Sequence, residues 1–322
     1  MRVAYGLDEL PGECPNPIVT IGNFDGLHLG HQELMRGLVS RALQVGGTST
    51  VLTFHPHPLQ LLAPGNAPRQ IQTLRQKLSI LESLGVGLTV VLRFDRDLAG
   101  LPAAGFVENV LCGTLRVREV YVGPNFAFGN RREGGVTLLK EIGETRGFTV
   151  GKIPEVRFRG TRVSSTAVRR ALLDGHVSLA RRFLGRPFDL EGEIVHGSAV
   201  GAGIGVRTAN LSTPNELVPR KGVYVSLLEI DGVRLRAVTN VGVRPTLSGG
   251  GESIPLSIET HVLDFSGELY GRRVNLHFLV RLRDERRFSG TGELLGQIRR
   301  DISRARRYFE WWDRADSFRL SR

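Results

Sequence analysis

The first half of the chain alternates short apolar runs with apolar patterns of helical period. Apolar runs of about four to eight residues are typical of buried strands, and apolar residues three and four positions apart are typical of helices. Alternating strands and helices form parallel sheets with helices on their faces. The predicted strands are Ile18–Ile21, Thr50–Phe54, Thr89–Leu92 and Glu119–Val122, and the predicted helices are Gly30–Gln44, Leu74–Leu84 and Ala103–Leu111. The pattern therefore predicts an N-terminal α/β domain.

Two short helices come next in the pattern. Ser165 can cap a helix over Thr166–Leu173, and Val177–Leu184 is typical of a second helix. The alternation of strands and helices ends there. We therefore place the domain boundary after residue 186, which gives domains of 1–186 and 187–322.

From residue 188 to residue 282 the chain consists of short β-rich segments separated by Gly and Pro. This pattern is typical of an antiparallel barrel or sandwich. The predicted strands are Gly222–Glu229, Arg234–Asn240, Leu256–Val262 and Arg273–Val280, and a helix from about Gly292 to Trp311 closes the chain. A length of 322 residues fits two domains of ordinary size.

Composition narrows the class of protein. Hydrophobic residues make up 41% of the chain and charged residues 23%, as in ordinary globular domains, which excludes disorder and fibrous repeats. No apolar run approaches the roughly 18 residues of a membrane span, and the N-terminus lacks a signal peptide's apolar stretch. We expect a cytoplasmic protein with no membrane partner. Cys14 and Cys112 are too few for a disulfide scaffold or a four-thiolate zinc site.

The formal net charge of +11 is concentrated near the C-terminus. Residues 272–322 contain 14 Arg against 7 Asp and Glu, so a polyanion could bind there. The same segment carries Ile298, Ile302, Ala305 and Phe309 at helical spacing, which favours a solvated basic face on an amphipathic helix. We expect no nucleic-acid partner. A basic nucleic-acid-binding protein stays as the alternative from a different functional class.

The strongest chemical signal is the segment from Gly22 to His31, Gly-Asn-Phe-Asp-Gly-Leu-His-Leu-Gly-His. It follows a predicted strand and leads into a predicted helix. Glycines let the backbone approach a phosphate, and the helix start adds unpaired N–H groups and the positive end of its dipole. His28 and His31 share one face of the first turn, where both can donate to phosphate oxygens. The segment therefore predicts a nucleotide site.

Other chemistries fit this sequence less well. His28, His31, His55 and His57 could supply zinc ligands, but no Cys joins them and the chain has no H-E-x-x-H helix. The chain contains neither a G-x-x-x-x-G-K-[ST] phosphate loop nor a G-x-S-x-G nucleophile turn. We therefore expect direct transfer between bound substrates rather than a covalent intermediate.

The H-x-G-H pattern resembles the nucleotidyltransferase superfamily, and further blocks resemble the bacterial bifunctional riboflavin kinase/FMN adenylyltransferases, or FAD synthetases, over essentially the whole chain. In the first half these blocks are Gly22–His31, Thr53–Pro58, Val122–Gly129, and Arg162–Thr166 with Arg169. The resemblance implies a Rossmann-like nucleotidyltransferase domain with a parallel sheet, followed by a riboflavin kinase β-barrel and a C-terminal helix. The implied substrates are ATP, riboflavin and FMN. We expect a monomer or weak homo-oligomer.

The resemblance also implies roles for residues of the first domain. His28 and His31 are expected to be catalytic and to stabilise charge on the transferring phosphate. A helix start rich in hydroxyl groups, preceded by Arg162, suits a triphosphate tail. The expected ATP site comprises Gly22, Phe24, Asp25, Gly26, His28, His31, Asn125, Arg162, Ser164, Ser165 and Thr166.

Two segments are candidates for the flavin pocket. Pro56 and Pro58 fix an extended loop after a strand, which could line the pocket or simply connect two elements. Phe126 and Phe128 could stack on a ring, although core packing produces the same spacing. Asn125 could contact a base or ribose, or form a turn. The candidate lining residues are Phe54, Pro56, His57, Pro58, Phe126 and Phe128.

The second half carries a glycine-rich loop that resembles the family's kinase signature, which ends in P-T-A-N. Thr208 and Asn210 offer hard oxygen atoms suited to Mg²⁺, which we expect together with ATP. Ala202, Val206 and Arg207 stand where the family usually has Arg, Phe and Pro, so a FAD synthetase with a weak or inactive kinase half is the nearest alternative. The expected nucleotide-binding residues are Gly201, Gly203, Gly205, Thr208 and Asn210.

The catalytic base implied by the resemblance is Glu259, in the segment Ile-Glu-Thr-His that ends at His261. A carboxylate beside a primary alcohol can accept its proton as a phosphoryl group arrives. In isolation, Glu259 would be a solvent-facing charge on a strand and His261 an ordinary strand histidine. The expected function is phosphorylation of riboflavin to FMN, followed by adenylyl transfer from ATP to FMN, which forms FAD and pyrophosphate.

Overall fold

The chain folds into two compact units, Met1–Ser165 and Thr166–Arg322. The computed structural model describes residues 1–10, 12, 14–123, 126–152, 156–196, 206–243 and 256–320. By this division the two short helices that precede the barrel group with the second unit, except for Ser165, the first residue of the first helix. The domain boundary that the sequence pattern places after residue 186 stays a prediction.

The first unit is built around a six-stranded sheet in which every pairing is parallel. Two two-stranded hairpins accompany it. The strands are β1 Arg2–Ala4, β2 Pro17–Ile21, β3 Thr48–His55, β4 Leu88–Arg93, β5 Glu119–Val122, the hairpin strands β6 Ala127–Phe128 and β7 Gly134–Gly135, β8 Thr149–Lys152, and the hairpin strands β9 Arg157–Phe158 and β10 Thr161–Arg162. In space the sheet order is β1-β4-β3-β2-β5-β8.

Helices cover both faces of this sheet. Ile18 and Val19 point to opposite faces and are both fully buried, one in a core with α1 and α3 and the other in a core with α5 and α6. The helices are α1 Leu29–Gln44, α2 Pro58–Leu62, α3 Leu74–Ser83, α4 Arg96–Gly100, α5 Ala103–Phe106 with a π-helix continuing over Val107–Thr114, and α6 Val136–Arg146; 3-10 turns occupy Pro64–Asn66 and Asn130–Arg132.

The strand order reverses between β2 and β5. The chain proceeds from β2 to β3 and β4 on one side of the sheet, and β5 and β8 lie on the other side. In open parallel sheets, ligands bind beyond the carboxyl ends of the strands where the order reverses. The fold therefore places the Gly22–His31 segment, which follows β2, at the expected position for a ligand.

The second unit contains a closed antiparallel barrel in the order β11-β12-β15-β14-β13-β16, and β16 pairs with β11 to close it. Two short helices precede the barrel and a long helix follows it. These elements are α7 Ser165–Leu173, α8 Val177–Leu184, β11 Phe188–Val195, β12 Ala209–Ser212, β13 Gly222–Ile230, β14 Val233–Val243, β15 Leu256–Val262, β16 Arg273–Arg283 and α9 Thr291–Leu320.

Alternate residues of each strand face the barrel interior or its outer surface. Inside, Tyr224 packs edge-on against Phe278 at 5.2 Å between ring centroids, and the hydroxyls of Ser226, Thr239 and Thr260 form a buried hydrogen-bonded chain. Outside, Val223, Val225, Val238, Leu263 and Leu279 pack against Ala305 and Phe309 of α9. The long helix therefore covers one outer face of the barrel.

The predicted fold class is confirmed: a parallel α/β unit, a β-barrel and a C-terminal helix. The predicted cap at Ser165 is wrong in one respect, because α7 begins at Ser165 itself and its Oγ donates to the carbonyl oxygen of Asp25 at 2.8 Å. The elements that the pattern analysis did not predict include β1, β8, α6, β11 and β12.

Candidate active sites

The first candidate site lies where β2 gives way to α1. The strand ends at Ile21, residues 22–28 form a turn, and α1 begins at Leu29 with His28 at the N-cap position in an extended conformation. The first backbone N–H groups of an α-helix have no partner within the helix and can bind an anion. The predicted strand–turn–helix is therefore present at the predicted position.

His28 and His31 are brought together as predicted. Their imidazole rings stack with centroids 3.7 Å apart and planes 18° from parallel. The ring of Phe24 meets His31 edge-on at 5.3 Å. A β-carbon on Gly30 would lie 3.2 Å from Cε1 of His28, so glycine at this position leaves room for the imidazole beside the first helical turn.

Electrostatics favour a neutral His31. Burial holds the pKa of His31 well below its ordinary value, and the nearby charges of His28 and Lys77 lower this pKa further. The Nδ1 atom of His31 is buried and has no hydrogen-bond partner among the described residues. Because buried polar atoms are normally satisfied, this nitrogen is suited to a bound ligand or water.

Asp25 holds the turn against a second segment of the chain. Its carboxylate is buried and accepts the backbone N–H of Ile71, with distances of 3.0 and 3.2 Å to the two oxygens. The carbonyl oxygen of Phe24 accepts from Nε2 of Gln72 at 3.1 Å. Gly26 has φ +80°, and a β-carbon there would lie 2.9 Å from Ile71. These contacts fix the turn that was predicted to bind ATP.

The hydroxyl-rich segment also reaches this turn. The Ser165 hydroxyl bonds to the Asp25 carbonyl oxygen, with Ser164 preceding it and Thr166 following it in α7. Arg162 lies on β10 with its side chain exposed. This hydrogen bond holds Ser165 against the glycine-rich turn.

His57, a predicted pocket residue, connects α2 to the turn. Its Nδ1 accepts from the N–H of Leu59 at 3.2 Å, and its Nε2 lies 3.2 Å from the amide of Asn23. A neutral ring that accepts at Nδ1 must donate from Nε2, so the oxygen of the Asn23 amide is the suitable partner. Asn23 was not among the predicted site residues.

Of the other residues predicted to line a flavin pocket, the two prolines lie at the connection after β3 and the phenylalanines pack in or against the hydrophobic core. Pro56 follows β3, and Pro58 begins α2. Phe54 packs edge-on against Phe94 at 5.8 Å. Phe128 lies in the hydrophobic core, where it contacts Phe106, and the half-buried Phe126 stacks on it at 5.2 Å. This burial favours the packing interpretation of Phe128. Asn125 lies outside the described residues.

The second candidate site is a cavity of about 650 Å³ between the barrel's outer face and α9. Such a volume is typical of small-molecule sites. Asp301 lines this cavity from α9. Its carboxylate is buried and pairs with Arg283 at 2.8 Å and with Gln297 at 2.8 Å. Other lining residues include Thr208, Asn240, Glu259, His261, Phe288 and Ile302.

Glu259 faces this cavity from β15. It lies directly opposite Asn210 of β12 and Asn240 of β14, so the three side chains share one face of the barrel. The hydroxyl of Ser257 donates to the Glu259 carboxylate at 3.0 Å. Glu259 is thus placed in a concave site.

The segment that leads into Thr208 is held to β15. Nδ1 of His261 donates to the carbonyl oxygen of Arg207 at 2.8 Å, which fixes the protonated nitrogen of the imidazole. Val206 and Thr208 both line the cavity. His261, which sequence reasoning treated as an ordinary strand residue, therefore positions this segment. Gly201, Ala202, Gly203 and Gly205 lie outside the described residues.

Comparison with known proteins decides the family. A family model described as FAD synthetase matches residues 11–167, and one described as riboflavin kinase matches residues 184–309. The bifunctional riboflavin kinase/FMN adenylyltransferase of Escherichia coli (strain K12) is 40% identical over 311 residues, or 96% of this chain and 97% of the relative. A relative of the same description from Pseudomonas fluorescens is 39% identical over 95% of this chain and 97% of its own length. The chain belongs to the bifunctional riboflavin kinase/FMN adenylyltransferase family.

A solved structure shares this architecture over nearly the whole chain. It is described as a macrolide-efflux protein from Streptococcus pneumoniae, is 29% identical, covers 94% of this chain and 98% of its own, and superimposes with a TM-score of 0.83. Its described activity differs from that of the curated relatives. Among the described residues, no helix combines the length and the apolar character that crossing a membrane requires.

The family's two signatures fall on the two candidate sites. In the first unit, the structure brings the histidine pair, Asp25 and Ser165 to one turn. In the second, it brings Thr208 and Glu259 to one cavity, with Asn210 beside Glu259. Among the described residues, no group of three or more His, Cys, Asp or Glu side chains is arranged to hold a metal ion. Lys77, a buried residue of α3, was missed although it is one of only four lysines in the chain.

Proposed function

We propose that this chain makes FAD from riboflavin in two ATP-dependent steps, one in each unit. The observation that carries the proposal is that one chain holds two separate sites, each formed by side chains that the fold brings together. A stacked histidine pair stands at the start of α1, and a half-buried carboxylate stands in a cavity on the barrel. Each site lies within the family model of the matching activity.

In the kinase step, Glu259 would accept the proton of the riboflavin 5′-hydroxyl as its oxygen attacks the γ-phosphorus of ATP. The new O–P bond gives FMN, and ADP leaves. The bond from Ser257 holds the carboxylate on the cavity side of β15. The oxygen atoms of Thr208 and Asn210 are of the chemical type that Mg²⁺ prefers, and Mg²⁺ bound with ATP would neutralise phosphate charge there.

In the adenylyl step, a phosphate oxygen of FMN would attack the α-phosphorus of ATP, and pyrophosphate would leave. Both reacting groups are anions, so positioning and charge stabilisation supply most of the acceleration. The imidazoles of His28 and His31 can each donate an N–H to the transferring phosphate, and the start of α1 adds backbone N–H groups. Arg162, Ser164, Ser165 and Thr166 would hold the rest of the triphosphate.

The test is an incubation of the full chain with riboflavin, ATP and Mg²⁺ in which riboflavin, FMN and FAD are separated over time, with a parallel reaction started from FMN. We expect FMN first and FAD second. FAD only from supplied FMN would show that the kinase half is inactive, as the departures at Ala202, Val206 and Arg207 would allow. His28→Ala should abolish FAD formation and spare FMN formation; equal loss of both would contradict the division of activities.

The remaining expectations concern the oligomeric state, location and partners of the protein. We expect a monomer or weak homo-oligomer that acts in the cytoplasm on small molecules, with no nucleic-acid or membrane partner. These expectations follow from the family resemblance and the charge distribution, and they stay predictions. Nucleic-acid binding that weakens steeply with salt would contradict them.

A further inference from the structure

Lys77 is a buried cation that the proposed chemistry does not use. It lies on α3, is 7% exposed, and its Nζ donates to the Thr53 hydroxyl at 3.4 Å. Thr53 is fully buried near the carboxyl end of β3, and its Oγ1 lies 3.5 Å from the carbonyl oxygen of Asn23 in the turn. The ammonium group therefore lies at the same edge of the sheet as the histidine pair.

The titratable groups that interact with this ammonium are Asp25 in the turn and His31 on α1. Asp25 favours the charged lysine, and Lys77 in turn lowers the pKa of His31. The Asp25 carboxylate also binds the N–H of Ile71, so its charge is shared between two partners. Burial outweighs the attraction of Asp25 and lowers the pKa of Lys77 to about 8.

Lysine is an unusual choice at this buried position, because most basic residues of this chain are arginines. Only four of its 43 basic residues are lysines. An ammonium group is a compact point charge that is strongly hydrated, so its burial is costly unless a nearby negative charge offsets it. Asp25 supplies part of that charge, and the phosphate groups of a bound substrate would add to it.

We infer that Lys77 is a positioning residue of the adenylyltransferase site, whose buried ammonium supplies fixed positive charge beneath the turn at Gly22–Gly26 through the Thr53 hydroxyl. This inference rests on the proposed function of the histidine pair. It adds to that function a charge that acts through the turn.

Two measurable consequences follow from the lowered pKa. Lys77 loses its proton above about pH 8, so kcat/KM for FMN in adenylyl transfer should fall with an apparent pKa near 8. Between about 8 and the ordinary lysine value of 10.5, the unfolded chain binds more protons than the folded chain. Stability should therefore rise with pH across that window, and the cost of the buried charge is fully present below it.

The experiment measures kcat/KM for FMN from about pH 6 to about pH 10 and thermal unfolding below pH 8. It compares the full chain with Lys77→Met, Lys77→Arg and the matched control Lys140→Met, which changes an exposed lysine of α6. We expect Lys77→Met to lower kcat/KM roughly tenfold or more, to lose the alkaline decline, and to raise the melting temperature. Lys77→Arg keeps its charge and should retain activity without the decline. Lys140→Met should match the wild type.

Two further readouts separate a positioning role from a purely structural one. Thr53→Val removes the hydroxyl that accepts from the ammonium, so the alkaline decline should move below pH 8. In NMR spectra, Lys77→Met should raise the pKa of His31, since a neighbouring positive charge is lost. If Lys77→Met does not fold, the Thr53→Val profile decides.

An unchanged pH profile in Lys77→Met and Thr53→Val would overturn the inference. A lower melting temperature of Lys77→Met with an unshifted His31 would also overturn it, since that is the behaviour of a structural residue. His28→Ala separates this failure from failure of the proposed function. If His28→Ala abolishes FAD formation while the Lys77 variants leave it unchanged, the histidine site stands and the role of Lys77 does not.

Discussion

At the residue scale, the spacing of the H-x-G-H pattern has a steric cause. His28 occupies the N-cap position of α1 and His31 lies about one helical turn later, so their rings can stack. The residue between them on that face is Gly30, where any β-carbon would press on the His28 ring. The glycine therefore serves the geometry of the histidine pair as well as access to a phosphate.

Gly30→Ala should impair only the adenylyl step. The added methyl group would lie 3.2 Å from Cε1 of His28 and displace the imidazole. A displacement of about 1 Å costs roughly a hundredfold in rate, so we expect a loss of that order in FAD formation from FMN. The matched control is Gly37→Ala on the same helix, where a β-carbon meets nothing within 4 Å. Equal activity of the two variants would show that the ring position does not matter.

Glu259→Gln should impair only the kinase step. The amide keeps the shape of the carboxylate and its bond to Ser257 but cannot accept the hydroxyl proton. Loss of a general base typically costs about 10²–10⁴ in rate. Riboflavin phosphorylation is measured directly, with Glu310→Gln, an exposed position of α9, as the control. Retained phosphorylation would show that Glu259 is not the catalytic base and is only a charged residue on the outer surface of the barrel.

At the element scale, α9 forms one wall of the kinase cavity and depends on a small apolar contact. Ala305 and Phe309 pack on Val223, Val225 and Val238 of the barrel, while Asp301 on the same helix pairs with Arg283 at the cavity wall. Packing and cavity shape are therefore linked through one helix.

Phe309→Ala should detach this helix. Removal of a buried Phe side chain typically costs about 3–5 kcal/mol, and Phe309 is only 3% exposed. We expect earlier unfolding of the barrel in denaturant and a rise in the KM for riboflavin, with FAD formation from FMN unchanged. Trp311→Ala, two residues on and 61% exposed, is the matched control and should be nearly neutral. Similar destabilisation by both variants would contradict the packing described.

The sequence pattern predicts elements that carry a clear apolar face or a continuous buried run. α1 and β2 are of this kind, so local pattern and tertiary environment agree. Length alone does not decide the outcome, because α6 with 11 residues was not predicted. β1 has only three residues, and the polar residues Asn210 and Ser212 interrupt the four residues of β12. These strands exist because neighbouring strands pair with them, as β1 does with β4.

Candidate site residues could be named from the sequence where their chemistry lies in one short block. The structure places His28 beside His31, Ser165 against the turn, and Glu259 in the cavity, and their roles stay predictions. The bond between Asp25 and Ile71 and the contact between Lys77 and Thr53 join residues far apart in the chain. No spacing rule in one sequence shows such pairs, because only the packing of α3 against the sheet brings them together.

At the scale of the whole molecule, each activity has its own core. The sheet of the first unit is buried between helices on both faces, and the barrel of the second unit has its own closed interior. The histidine pair and the turn that holds it lie before residue 166, and the lining residues of the kinase cavity all follow residue 205. A substitution in one site therefore leaves the core of the other intact, and each half can be inactivated alone.

This separation predicts that two inactive chains complement each other. His28→Ala should still make FMN, and Glu259→Gln should still convert FMN to FAD, so a mixture of the two should form FAD from riboflavin. Because FMN must then leave one chain and bind another, FAD should appear after a lag that shortens as protein concentration rises. Chromatography of the flavins over time measures this. If each variant keeps its own activity but the mixture forms no FAD, FMN does not leave the chain that makes it, and the two sites act in sequence on a retained intermediate.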